Sequence, residues 1–118
     1  MNSVYELIDT ISQRTAMYTG ECKLSNIRSF IDGYTFSFKN ENELIAFISD
    51  FPGFHDWVAK KYGFYESTAG WHNMILAIEM GFLPTNVKWE EYSLGATEQQ
   101  HRSSVAKFFD LTREYKNA

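Results

Sequence analysis

Thr97-Glu98-Gln99-Gln100-His101-Arg102-Ser103-Ser104-Val105-Ala106-Lys107-Phe108-Phe109-Asp110-Leu111-Thr112 is the stretch that decides the fold class. Thr97 as N-cap and Gln100 three residues later form a capping box, which satisfies two orphan backbone donors at a helix start. Val105, Phe108, Phe109 and Thr112 follow at helical spacing, and the pattern predicts a helix reaching about Tyr115. Ser3-Val4-Tyr5-Glu6 repeats the device near the other end of the chain. It precedes Val4, Leu7, Ile8 and Ile11, which predict a first helix over 4–13.

Between these two helices the same period recurs in shorter runs. Ile27, Phe30, Ile31, Tyr34 and Phe38 form one apolar stripe and predict a helix over 24–39, with Ser25 as a cap. The end of that run, 34–39, also reads as a short strand. Gly33 lies inside the stripe at a cost of about 1 kcal/mol against Ala, which suits a place where another backbone packs close. Asn42 is expected to cap a third helix bearing Leu44, Ile45, Ile48 and Phe51 on one side, stopped by Pro52-Gly53. Phe54, Trp57, Val58 and Lys61 predict a fourth helix, ended near Gly63. A fifth starts at Ser67 or Thr68, buries Trp71, Met74, Ile75 and Ile78, and ends at Gly81 and Pro84. Residues 82–96 are the least legible, with Val87, Trp89 and Tyr92 pointing to extended structure or a packed loop. The expectation is an all-α fold: a single domain over 1–118 of five to six short helices, with one minor hairpin as an option.

Composition narrows the function classes. The 118 residues carry 11 Lys plus Arg against 15 Asp plus Glu, a net charge of −4, with 44% hydrophobic and 22% charged residues. These are the values of an ordinary globular domain, not of a disordered tail or a disulfide scaffold. One cysteine, Cys22, allows no internal disulfide and suits a reducing compartment, so a cytoplasmic location is expected. The N-terminus has neither the basic nor the apolar region of a secretory signal. The longest apolar stretch, Met74 to Leu83, is far short of the roughly 20 residues that span a bilayer. Net acidity argues against nucleic acid, which needs a basic face. The charge is also uneven. Residues 39–66 place Glu41, Glu43, Asp50, Asp56 and Glu66 against Lys39, Lys60 and Lys61, and residues 79–98 place Glu79, Glu90, Glu91 and Glu98 against Lys88 alone. From Gln99 onward the balance is basic.

The residues that could carry chemistry are sparse. His55, His72 and His101 fall in separate predicted helices, with no His-x-x-x-His or Cys-x-x-Cys spacing for a metal. Cys22 has no local base to activate it. Glu41/Glu43 and Glu90/Glu91 sit in polar runs rather than in a dry pocket that would separate their pKa values. The one excess is aromatic: 3 Trp, 7 Tyr and 10 Phe. Tyr62, Phe64, Tyr65, Trp89 and Tyr92 lie outside the clear core stripes and beside Glu66, Glu90 and Glu91. Two readings stand for them: anchors of a protein interface rimmed by charge, or a satellite cluster beneath a loop.

The segment Arg14-Thr15-Ala16-Met17-Tyr18-Thr19-Gly20, followed by Leu24, Phe30 and Gly33-Tyr34, resembles a family of small bacterial proteins. Their pattern is Arg-Pro-x-Met-Tyr-x-Gly ahead of a helix ending in Phe-x-x-Gly-Tyr. Phe54-x-x-Trp57-Val58, Gly70-Trp71, Ile75 and Phe108-Phe109-x-Leu111 extend the resemblance, and Thr15 departs from it where proline is usual. The resemblance implies an immunity or accessory protein of a bacterial toxin system. On a physical reading, Gly20 permits a tight turn, Met17 and Tyr18 plug into the core, and Arg14 caps carbonyls at the end of the first helix.

The expected function is that of a non-enzymatic immunity protein that occludes a basic toxin, needs no cofactor, and is a monomer or weak homodimer. Its expected contact residues are Glu41, Glu43, Asp56, Tyr62, Tyr65, Glu66, Trp89, Glu90, Glu91 and Tyr92. Two alternatives stand beside it. One is a small enzyme or ligand-binding domain with a pocket of His55, His72, Glu66 and Tyr65. The other is a homo-oligomeric accessory protein.

Overall fold

The structure, a computed structural model, describes residues 2–65 and 69–118. Among them the regular structure is helical throughout: α1 Val4–Gln13, α2 Thr15–Thr19, α3 Leu24–Phe36, α4 Glu41–Ile48, α5 Phe54–Tyr62, α6 Trp71–Glu79 and α7 Glu98–Lys116. Two 3₁₀ turns, Phe51–Gly53 and Tyr92–Gly95, complete the path. The chain is all-α, with α2 as an element beyond the five or six expected. No helix of the described residues is long and apolar enough to cross a membrane.

The helix starts follow their caps. The Thr97 hydroxyl accepts from the Gln100 N–H at 3.1 Å, and the Gln100 side chain accepts from the Thr97 N–H at 2.9 Å, so the capping box is complete. At α1 it is half-built. Ser3 accepts from the Glu6 N–H, but the Glu6 carboxylate takes the Asn2 N–H at 2.8 Å instead. Asn40, not Asn42, caps α4, accepting from the N–H groups of Asn42 and Glu43. Within α4, Phe47 is buried and Ile45, expected on the inner side, is exposed. Lys23 rather than Ser25 stands at the N-cap of α3, without a side-chain cap. The start expected at Ser67 or Thr68 lies outside the described residues.

Three other expectations give way. The strand option over 34–39 is replaced by the end of α3 and a turn, with Ser37 N–H donating to the Tyr34 carbonyl and Phe38 N–H to that of Thr35. In 86–92, Glu91 and Tyr92 N–H both donate to the Lys88 carbonyl, so Val87, Trp89 and Tyr92 belong to a turn packed on the core. Gly33 is exposed, and a Cβ there would meet nothing within 4 Å, so close packing does not account for it.

α6 and α7 make the central seam, with α3 and α5 also against α6. Trp71 of α6 stacks on Phe108 of α7 with centroids 4.5 Å apart. Phe54, fully buried, touches the rings of Phe51, Trp57, Trp71, Phe108 and Tyr115. This accounts for much of the aromatic excess: large rings fill a small core efficiently and gain from edge and offset contacts. α4 is held by a smaller set, with Tyr34 stacked on Phe47 at 5.2 Å and Phe38 beside them. The loop after α4 is clasped from both ends of the chain. The Tyr5 hydroxyl donates to the Asp50 carboxylate, and the Tyr115 hydroxyl donates to the Asp50 carbonyl at 2.6 Å.

Candidate partner-binding surface

Away from the central seam, four rings run from neighbour to neighbour across three stretches of chain. Phe64 meets Trp89 at 5.8 Å, Trp89 meets Tyr92 at 5.2 Å, and Tyr92 meets Phe82 at 6.4 Å. The row is pinned beneath. The Tyr92 hydroxyl donates to the Asn73 side-chain carbonyl, and the Asn73 amide donates to the Ala69 carbonyl at 2.7 Å. Burial pushes the Tyr92 phenol well above its ordinary pKa.

Because these rings point inward, their neighbours in sequence point out. Tyr65 is 93% exposed, Leu94 84% and Leu83 61%. Glu90 and Glu91, between Trp89 and Tyr92, are exposed and take part in no ion pair among the described residues. The row of rings is thus flanked in sequence by one exposed tyrosine, two exposed leucines and two exposed glutamates. Isolated exposed apolar groups are ordinary, but several on one packed support, rimmed by charge, have the make-up of a binding patch.

This divides the expected contact residues. Tyr65, Glu90 and Glu91 are on the surface. Tyr92 is buried, Trp89 is half-buried in the row of rings, and Tyr62 is half-buried against the main core. As anchors these three are corrected: Trp89 and Tyr92 belong to the satellite cluster, and Tyr62 packs on the main core. Glu66 lies outside the described residues. Glu41 and Glu43 in the first turn of α4, and Asp56 in that of α5, are exposed at helix N-termini, where the dipole favours a carboxylate in any case. Sequence reasoning passed over Leu83 and Leu94. Their only signal was an apolar residue in a turn-rich stretch with no periodic stripe to join.

The Arg14–Gly20 motif is also rearranged. It forms the short helix α2, closed by Gly20 at φ +81°, an angle only glycine adopts freely. Met17 is 72% exposed and Tyr18 also faces solvent, its ring centroid 6.1 Å from that of Phe30 in an edge-on contact, so neither plugs into the core. Five residues cannot turn adjacent side chains inward together. Arg14 closes α1 through its own N–H to the Ile11 carbonyl, while its guanidinium approaches the Met17 sulfur at 4.0 Å. Tyr34 is part of the α4 contact, as its stripe implied.

The histidines do not assemble the expected pocket. His55 borders a cleft with Arg28 and Trp71, whereas His72 borders another with Lys23, Asn73, Ser93 and His101. Arg28 donates from Nη1 to His72 Nδ1 at 2.9 Å, fixing the Nε2–H tautomer. Burial, aided by that guanidinium, pushes the His72 pKa down to about 4. Gly70, at φ +92°, is what lets Arg28 through: a Cβ there would fall 1.9 Å from Nη1. His101 is lowered as well, by burial and then by Lys23, and its buried Nδ1 has no hydrogen-bond partner among the described residues. Among the described residues no three His, Cys, Asp or Glu side chains come together to hold a metal ion. Compared with protein-family models, with curated proteins and with solved structures, the chain matches none.

Proposed function

We propose that this chain is a binding protein of the immunity type, which neutralises a basic protein toxin by covering it. The observation that carries the reading is the row of packed rings flanked in sequence by exposed Tyr65, Leu83 and Leu94 and by two glutamates that take part in no ion pair among the described residues. In this reading the carboxylates speed encounter with a cationic partner, and the apolar groups slow its release. The resemblance carried by Arg14–Gly20 and Gly33-Tyr34 agrees with it.

The test uses the product of the adjacent reading frame, purified with this chain and alone. Tyr65→Ala and Leu94→Ala should each weaken the complex at least about tenfold, chiefly through faster dissociation. Glu90→Lys with Glu91→Lys should slow association at low salt and matter little at high salt. A neighbouring product that is no toxin, together with expression that protects no cell, ends this reading.

A further inference from the structure

A cleft of about 270 Å³ runs between α1 and α7. Its floor includes Ile8 and Phe109. Glu6 and Asp9 stand along one wall, on α1, and Arg113 and Lys116 along the other, on α7. The first wall is purely acidic, since α1 contains no basic residue. The second is basic, though Asp110 draws Arg113 to 3.4 Å. Among the described residues no ion pair crosses the cleft. Glu6 is engaged by the Asn2 N–H, and Lys116 lies over the Tyr5 ring at 5.7 Å.

We propose that this cleft is the two-fold interface of a homodimer, closed by a second copy of the chain. An isologous contact requires a patch that complements itself. A cleft with acid on one bank and base on the other meets that requirement for one axis only. Rotation about an axis along the cleft lays α1 of each copy over α7 of the other at the same height, so acid meets base twice. Rotation about an axis across the cleft sets acid on acid and base on base. Ile8 and Phe109 are already largely covered by their own fold, so the added apolar burial is small and the association is weak and charge-driven. The proposal does not depend on the partner-binding reading, which uses other residues.

Sedimentation equilibrium tests it. At about 0.5 mM protein and low salt, conditions that populate weak complexes, the wild-type mass should climb from 13.7 kDa towards twice that value. It should fall back at about 0.5 M salt, where screening is strong. Glu6→Lys with Asp9→Lys should stay monomeric, as should Arg113→Glu with Lys116→Glu. An equal mixture of the two should regain the doubled mass, because each reversed wall then faces its opposite. Zero-length carbodiimide crosslinking of mixed isotope-labelled wild-type copies, read by mass spectrometry, covers the case of a variant that does not fold. It should join Glu6 or Asp9 of one copy to Lys116 of another. A wild type that remains at the single mass, or reversals that leave a dimer intact, overturns the proposal.

Discussion

His72 and Ser49 show how single residues set the terms of stability. His72 is held neutral, with a folded pKa near 4 against an ordinary 6.5. Below pH 6.5 the unfolded chain takes up the proton more readily than the folded one, so stability is full above that pH and falls as the pH drops towards 4. The shift corresponds to at most about 3 kcal/mol, and to less after solvent screening of a half-buried ring. His72→Gln keeps an acceptor for Arg28 but does not titrate. Urea unfolding at pH 7 and pH 4.5 should therefore show a smaller acid loss in the variant than in wild type, and an equal loss in both would refute the assignment. Ser49 takes φ +49°, among the described residues the one non-glycine angle in that region. Ser49→Gly relieves a conformation that costs a side chain of order 1 kcal/mol, so its unfolding midpoint should rise. A fall would mean that the serine hydroxyl does more than the backbone angle suggests. At this scale the sequence was a poor guide. The partner of a histidine, or the direction a loop tryptophan faces, is set by residues far along the chain, such as Arg28 for His72 and Phe64 for Trp89.

Helices were more legible, because both their periodicity and their caps are local. Thr97–Gln100 and the stripe after it marked α7 almost residue by residue, and Val4, Leu7, Ile8 and Ile11 are all buried as α1 requires. Thr97→Ala removes the oxygen that receives the Gln100 N–H and should cost about 1 kcal/mol, or roughly 4 °C in Tm for a domain of this size, read by calorimetry. An unchanged Tm would mean that water replaces the cap without loss. Where caps are ambiguous, the reading slipped. Asn40 and Asn42 both suit an N-cap, and the apolar spacing of Leu44, Ile45 and Ile48 does not reveal that Phe47 is the residue buried. α2 was missed because it has neither a side-chain cap nor a buried residue. The exposed part of the candidate surface was half-legible for a related reason. Acidic pairs are exposed wherever they fall, but Leu83 and Leu94 are exposed only because Phe82 and Tyr92 claim the inward positions.

For the molecule as a whole, the clasp on Asp50 has a consequence for chain continuity. Tyr5 reaches that residue from near the start of the sequence and Tyr115 from near its end, and α1 and α3 are further held to the later helices by Arg28 on His72, Tyr34 on Phe47, and packing against α6 and α7. Lys39, in the exposed segment between α3 and α4, carries none of these contacts. A single tryptic cut there should leave both pieces bound to each other, eluting together under native conditions and parting only in denaturant. Elution as separate pieces would show that the contacts of α1 and α3 with the rest of the fold are too weak to replace the lost peptide link. The same two pieces, expressed as separate polypeptides, should find one another and rebuild the fold, which would make this small helical protein a two-part complementation system.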